Sequence, residues 1–218
     1  MSLIKSLISK EKYSTKCPYL MRPKGICIHN TANDASARNE INYMKSNSNE
    51  VSFHIAIDDK EAILGIPLNR NTWHAGDGEF GEGNRNYISI EICYSKSGGE
   101  RFELAEKRAA KEIALLLKEY NLKLENIKSH KYFSGKYCPH RTLDLGWNRF
   151  LNMVKKEINN NEIKVQNING ELYRVRKDYK NIKSQIGAFR NIQNAKKLVD
   201  ENPGYNVYNE KGVKIYPN

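Results

Sequence analysis

The chain has 218 residues, of which 39% are hydrophobic and 28% charged. This balance is typical of a globular protein with one sizeable core and excludes a disordered chain. No window approaches the roughly 18 apolar residues of a membrane span, so membrane insertion is not expected. Lys and Ser interrupt every short apolar run in the first ten residues, which argues against a signal peptide. We therefore expect a protein that folds in a cytoplasm.

The formal net charge is +11, and residues 164–218 alone carry 11 Lys and Arg against 5 Asp and Glu. Such a charge predicts a polyanionic partner. Nucleic acid, an anionic membrane surface and an anionic cell-wall polymer all qualify, because charge alone does not choose among them. The four cysteines, Cys17, Cys27, Cys93 and Cys138, form no CxxC pair. They indicate reduced thiols, one of them a candidate metal ligand.

Apolar patterning predicts strands at 25–29, 51–57 and 87–93, since each is a short apolar or alternating run. In the third strand Glu91 lies on the opposite face from Ile88, Ile90 and Ile92. Helical periodicity covers 103–120, and further helices are expected within 32–46 and from Gly146 or Trp147 to about Asn159. Strands interleaved with helices predict an α/β (α+β) fold with a central mixed β-sheet flanked by helices.

Polar, Asn-rich stretches separate this region from the rest of the chain, and we place a linker at 158–169. Residues 1–157 then form the larger domain and residues 170–218 a small α+β domain. Within the small domain we expect a strand at 172–176, a helix at 191–201 and a hairpin around 209–212. Because so small a domain has little core, we expect it to lean on a partner, such as a second copy in a homodimer.

The most informative segment is 129–141, read together with the strand end at His29. Between them they hold two imidazoles (His29 and His130), a thiol (Cys138) and a lysine (Lys136). Zinc takes His nitrogen and Cys sulfur in tetrahedral geometry, and three protein ligands leave one position open for catalysis. Cys27 is the rival ligand, because it shares the strand face of His29 and would close the site.

Five short motifs occur in order: Ile28-His29-Asn30-Thr31, Ser52-Phe53-His54, Thr72-Trp73-His74-Ala75-Gly76, the strand around Glu91, and the segment from His130 to Cys138-Pro139. Over about residues 20–155 this succession resembles the type 2 N-acetylmuramoyl-L-alanine amidases, a zinc-dependent family that includes phage endolysins, bacterial autolysins and peptidoglycan recognition proteins. Each motif is weak alone, whereas five in the same order are specific.

The resemblance implies that zinc is held by His29, His130 and Cys138. It further implies that Glu91 is the catalytic glutamate and that Lys136 stabilises the developing oxyanion. Some members carry a tyrosine where this chain has Phe53. Because a phenyl ring donates no hydrogen bond, the acid-base work should fall on Glu91.

The same chemistry follows from the reaction, since amide hydrolysis needs a nucleophile at neutral pH and zinc lowers the pKa of a bound water to about 7. For substrate contacts we consider Asn30, Thr31, His74 and Arg141, the last toward a stem-peptide carboxylate. His74 is equally interpreted as a histidine packed by Trp73. His54 is expected to orient its strand or to lie near the zinc as a non-ligand.

Residues 170–218 resemble the small C-terminal cell-wall-binding domain of some amidases and, more distantly, the sporulation-related repeat that binds glycan strands. The whole resemblance implies a peptidoglycan hydrolase that cuts the amide between N-acetylmuramic acid and L-alanine. The missing export signal implies a phage or prophage endolysin of a Gram-positive host, held in the host cytoplasm until a holin opens the membrane. The alternatives are a non-catalytic peptidoglycan-binding module and, on charge alone, a nucleic-acid-binding protein, for which no motif is present.

Overall fold

The computed structural model describes residues 3–168 and 171–217. The chain divides into two compact units, Met1–Ile158 and Asn159–Asn218. Within the described part of the chain, no helix is both long and apolar enough to cross a membrane.

The first unit is built on a six-stranded sheet. The strands are β1 (Ile4–Lys5), β2 (Gly25–Asn30), β3 (Ile55–Ile57), β4 (Ala62–Leu64), β5 (Tyr87–Ile92) and β6 (Ile127–Ser129). Their spatial order is β1-β4-β3-β5-β2-β6. The pairings β1–β4, β3–β5, β5–β2 and β2–β6 are parallel, whereas β3 and β4 pair antiparallel. The predicted mixed sheet is confirmed.

Seven α-helices begin in this unit among the described residues. They are α1 (Tyr13–Lys16), α2 (Ala37–Ser46), α3 (Glu82–Asn86), α4 (Gly99–Glu119), α5 (His130–Ser134), α6 (His140–Asp144) and α7 (Trp147–Ile168). The strands β5 and β2 are adjacent interior strands of the sheet, and all six residues of β2 are buried. Burial along a whole strand is typical of parallel strands covered on both faces. The apolar stripes of α2, α4 and α7 complete the core through Ile41, Ile113 and Phe150.

The predicted elements are present with shifted ends. The strand expected at 51–57 is limited to β3, because residues 51–54 form no ladder. The helix expected at 103–120 begins four residues earlier, after Gly98, whose φ of 73° suits glycine. The short strands β4 and β6 were not predicted, since three residues give too little periodicity to recognise.

The linker expected at 158–169 differs from the structure. The helix expected to end at about Asn159 continues as α7 to Ile168, so nearly all of that segment is helical. The run of asparagines does not end the helix, because asparagine costs only a fraction of a kcal/mol per helical residue. No proline or glycine, which would disfavour the helix more, occurs between Trp147 and Ile168. Asn169, the last residue of the predicted linker, lies outside the described residues.

The second unit contains a four-stranded antiparallel sheet in the order β10-β9-β7-β8. Its elements are β7 (Tyr173–Arg176), β8 (Gly187–Phe189), α8 (Ile192–Asp200), β9 (Asn206–Tyr208) and β10 (Lys214–Tyr216). The small core joins Val175 and Val207 of the sheet to Ala195 and Val199 of α8. The expected strand, helix and hairpin are present, and the small α+β fold agrees with the prediction.

Candidate active site

Three neighbouring parallel strands bring the site residues to one edge of the sheet. Glu91 and His29 are partners in the register of β5 and β2, and Ile28 pairs with Ser129, the last residue of β6. His130 follows Ser129 directly as the first residue of α5. Because the carboxyl ends of parallel strands meet at one edge, Glu91, His29 and His130 lie side by side, although they are spread over about a hundred residues of the chain.

His29, His130 and Cys138 form a three-donor cluster whose ligand atoms all lie within 4.8 Å of one another. Cys138 Sγ is 3.8 Å from His29 Nδ1, and the imidazole centroids of His29 and His130 are 4.6 Å apart. All three side chains are buried. A hydrogen bond from Lys131 N to Cys138 O (2.9 Å) closes the loop that carries the cysteine back to the histidine.

The cluster fits a zinc ion because of its donor atoms and because one buried donor lacks a hydrogen-bond partner. Two imidazole nitrogens and one sulfur are the ligand types that zinc prefers, and three of them leave a coordination position open. Among the described atoms, His130 Nδ1 is buried without a hydrogen-bond partner. Burial of such a nitrogen is costly unless something binds it, and a cation in the cluster would do so.

Burial controls the protonation of the cluster in the metal-free protein. It lowers the pKa of His29 well below the ordinary value, and neighbouring His74 and His130 lower it further. It likewise raises the pKa of Cys138 to about 12, with a contribution from the charge of Glu91. His29 and His130 are therefore neutral, as metal binding requires, because burial lowers the pKa of each. Cys138, in contrast, needs a nearby cation to become a thiolate.

Glu91 lies beside the cluster, with Oε1 4.0 Å from His29 Nδ1 and 18% of its side chain exposed. Its Oε2 is buried and has no hydrogen-bond partner among the described residues. Burial raises the pKa of Glu91 to about 8, the charge of Glu40 raises it further, and Lys136 lowers it. A carboxyl group with a pKa near neutrality can both accept and donate a proton, as a general acid-base residue must.

Two cavities meet at the cluster. One, of about 780 Å³, is lined by Tyr19 and Trp73 among others. The second, of about 470 Å³, is lined by Glu91 and Cys138 among others. The side chains of His74, His130 and Lys136 line both, so a bound molecule that reaches the cluster can extend to either side of it.

The remaining predicted residues lie in different surroundings. Asn30 and Thr31 line the smaller cavity, but the Asn30 side chain is buried and bonds Thr142, accepting from its backbone N–H at 3.1 Å. Arg141 lines neither cavity. Its guanidinium donates to Ser95 O and Lys96 O, so the structure does not bring Arg141 into the site.

The structure also shows the surroundings of His54 and Cys27, the two further residues that the sequence analysis considered near the zinc. His54 is fully buried and bonds Ser89 Oγ (2.9 Å) and Arg70 O (2.8 Å), which makes it part of the sheet interior. The Cys27 sulfur lies 3.1 Å from His29 Nε2, the ring nitrogen opposite the one that faces Cys138.

One carboxylate that the sequence did not indicate also faces the site. Glu40, in α2, lines the smaller cavity and accepts a hydrogen bond from Asn33 Nδ2 at 2.6 Å. Its charge contributes to the raised pKa of Glu91. Because fifty-one residues separate the two glutamates, no local pattern in the sequence signals that they lie close together.

Comparison with known proteins decides the family. The family profile described as N-acetylmuramoyl-L-alanine amidase (Amidase_2) matches residues 19–141, more than half of the chain. This chain belongs to the N-acetylmuramoyl-L-alanine amidase family. The matched range contains all three residues of the metal cluster as well as Glu91 and Lys136, and the resemblance recognised in the sequence is confirmed.

The individual relatives support the same assignment. The chain is 54% identical over 159 residues to the N-acetylmuramoyl-L-alanine amidase CwlA of Bacillus subtilis (strain 168), covering 72% of this chain and 58% of that one. It is 53% identical to the amidase XlyB of the same organism, over 71% of this chain and 49% of that one. The chain thus spans about half the length of the curated relatives it matches.

Solved structures of amidase domains align with the first part of the chain. The structure of PlyL is 55% identical, has a TM-score of 0.69 and covers 71% of this chain and 97% of its own. The solution structure of the PlyG catalytic domain is 56% identical with the same TM-score, covering 72% and 96%. The fold predicted for this region is therefore the fold of that amidase family.

Proposed function

We propose that this chain is a peptidoglycan hydrolase that cleaves the amide bond between N-acetylmuramic acid and the L-alanine of the stem peptide. The observation that carries the proposal is Glu91, a carboxyl group with a raised pKa, held 4.0 Å from His29 in a buried His-His-Cys cluster. The family match supports the choice of bond. Bacterial peptidoglycan is accordingly the proposed substrate.

In this proposal His29, His130 and Cys138 hold a zinc ion. When bound, zinc acidifies water and so supplies a nucleophile at neutral pH, which amide hydrolysis requires. The ion also favours the thiolate of Cys138, which burial alone disfavours.

The protein's own groups then divide the work. Glu91, whose Oε1 lies 4.0 Å from His29 Nδ1 beside the cluster, accepts the proton of the attacking water and delivers it to the leaving nitrogen as a general acid-base residue. Lys136, which lines both cavities, offers its ammonium to the oxygen that becomes negative in the tetrahedral intermediate. The two cavities hold the parts of the substrate on either side of the cut bond.

The direct test is digestion of purified Gram-positive sacculi, with release of amino groups and of reducing sugars measured in parallel. New L-alanine amino termini without reducing ends, lost to chelator and restored by zinc, support the amidase. Reducing ends would instead mean a glycosidase and a wrong site. Tight sedimentation with sacculi without any release would favour the alternative, a peptidoglycan-binding module that does not cleave.

For the second unit we propose attachment to the cell wall. Its described residues combine aromatic rings with basic groups. The Lys177 ammonium lies 5.4 Å from the centroid of the Tyr205 ring, and the Arg176 guanidinium lies 5.4 Å from the centroid of the Tyr179 ring. Rings can stack on sugars, and cations attract anionic wall polymers. The proposed domains are residues 1–157 as the amidase and 170–218 as the wall-binding domain, through which a homodimer is also proposed.

Sedimentation of the full chain and of residues 1–158 with sacculi, with and without salt, tests this attachment. We expect the shorter chain to bind less while still cleaving soluble muropeptides, and equal binding would contradict the proposal. The proposed setting is a phage or prophage endolysin that stays in the host cytoplasm until a holin releases it. Lysis of Gram-positive cells only after the membrane is permeabilised would support that setting.

A further inference from the structure

The side chain of His74 connects the metal cluster to a backbone carbonyl. His74 Nδ1 lies 2.9 Å from His29 Nε2, and His74 Nε2 lies 3.1 Å from Gly83 O. The two imidazoles meet edge to face, with an interplanar angle of 82°. His74 therefore bridges His29, in the sheet, and Gly83, in α3.

The carbonyl determines where every proton in this chain of bonds lies. A carbonyl oxygen only accepts hydrogen bonds, so His74 Nε2 carries the proton that it donates to Gly83 O. In a neutral His74 the other nitrogen, Nδ1, must then accept, and His29 Nε2 must donate to it. A neutral His29 protonated at Nε2 keeps the lone pair of Nδ1 free, and Nδ1 is the nitrogen that faces Cys138.

The segment that presents His74 is braced independently of the cluster. Asp77 accepts hydrogen bonds from Gly83 N (2.6 Å) and Asn84 N (3.2 Å). The Asn84 side-chain oxygen accepts from the backbone N–H groups of His74 and Ala75, each at 2.8 Å. These bonds tie both ends of residues 74–84 together, so His74 and its carbonyl acceptor are held as one rigid unit.

We propose that His74 is a positioning residue that holds His29 in the Nε2–H tautomer, with Nδ1 aimed at the metal. This inference rests on the proposed zinc site and assigns His74 a role behind the ligand, in addition to its place in the cavity walls. A hydrogen-bonded partner behind a ligating histidine fixes the ring and raises its basicity, and removing such a partner typically costs 10- to 100-fold in metal affinity or activity.

Cys27 is the competing acceptor, because its sulfur lies 3.1 Å from the same His29 nitrogen. His74 Nδ1 lies closer to that nitrogen, at 2.9 Å. Cysteine sulfur is only a weak hydrogen-bond acceptor, so Cys27 does not replace His74 as the group that orients His29.

The test compares two substitutions of nearly equal shape, His74→Asn and His74→Leu, in the full chain. The asparagine oxygen can accept from His29 Nε2, whereas leucine cannot. Zinc affinity is measured by competition with a chromophoric chelator, without any activity assay. We expect His74→Leu to weaken zinc binding by about 10- to 100-fold and His74→Asn to retain most of the wild-type affinity.

A second readout is the His29 Nε2–H proton of the zinc-loaded protein in NMR spectra. It should exchange slowly with water in the wild type and in His74→Asn, and fast in His74→Leu. Tyr132→Phe, which removes an exposed hydroxyl two residues from His130, is the matched control and should leave zinc affinity unchanged.

Equal zinc affinity in wild type, His74→Asn and His74→Leu would overturn the proposal. The proposal would also be overturned if His74→Asn and His74→Leu lost zinc affinity equally while the His29 Nε2–H proton still exchanged slowly in both. Such a result would show that His74 acts only through packing. If His74→Leu does not fold, the His29 proton in His74→Asn decides alone. The wild-type chain could bind zinc with the His29 Nε2–H proton in slow exchange and yet cleave no sacculi. That outcome would contradict the proposed function and leave this inference standing.

Discussion

His29 and Glu91 face each other as register partners on the adjacent parallel strands β2 and β5, with His29 Nδ1 and Glu91 Oε1 4.0 Å apart. The proposed zinc ligand and the proposed general base thus lie on two neighbouring interior strands of the sheet. Mounting both on strands keeps their separation independent of loop motion.

Glu91→Gln should abolish most catalysis without loss of the metal. The amide keeps the shape of the carboxyl group but cannot exchange a proton, so we expect kcat to fall by about 10²- to 10⁴-fold. Zinc content and zinc affinity should stay close to wild type. Glu40→Gln makes the same chemical change on the neighbouring carboxyl group and should reduce kcat far less. Full activity of Glu91→Gln on muropeptides would refute the assigned role.

Lys136→Met should lower kcat more than it raises KM, because the ammonium is proposed to act on charge that develops during the reaction. Loss of one such contact typically costs about 10²- to 10³-fold in kcat. Lys131→Met, in the adjacent helix α5 and outside both cavities, is the control and should behave like the wild type in steady-state kinetics. Equal kinetics for the two variants would show that Lys136 is not part of the machinery.

Cys138→Ser and Cys27→Ser should show which cysteine binds zinc, the proposed ligand Cys138 or its rival Cys27. Cys138 Sγ lies in one group of donors with His29 and His130, whereas Cys27 lies in another with His29 and His74, at the opposite nitrogen of His29. Zinc content after dialysis, measured by atomic absorption, should fall sharply for Cys138→Ser and stay near one ion per chain for Cys27→Ser. Loss of zinc from Cys27→Ser would instead indicate a closed structural site.

The buried His54 should make the fold sensitive to acid. Burial lowers the pKa of His54 to about 4, against about 6.5 in the unfolded chain. Because the unfolded chain binds the proton more readily, the free energy of unfolding is highest above pH 6.5 and decreases as the pH falls toward 4, by at most about 3 kcal/mol from this group.

Urea unfolding of wild type and His54→Gln between pH 4 and pH 8 measures this contribution. The variant lacks the titrating group, so the stability advantage of the wild type should shrink as the pH is lowered. The proposed zinc-ligand histidines are present in both proteins, and their effect on the free energy of unfolding cancels in the difference. A difference that does not change with pH would show that His54 is not held neutral in the fold.

Much of the architecture was recognisable from local patterns. The apolar run that became β2, the alternation that became β5 and the helical stripe of α4 each depend on neighbours within one element, so periodicity was enough to find them. The end of α7 was missed because asparagine is a weak breaker, and helix ends depend on small differences between competing conformations.

The sequence by itself determined the family, the mixed sheet and the chemistry of the site, because residue types such as His29, Cys138 and Glu91 and the order of their motifs are written in the chain. Only the tertiary structure decided which nitrogen of His29 faces Cys138, that His74 lies behind that ring, that Glu40 faces the site and that Arg141 is held elsewhere by backbone carbonyls. These are distances between residues far apart in sequence, and they arise from the pairing of strands and the packing of loops, which no local pattern encodes.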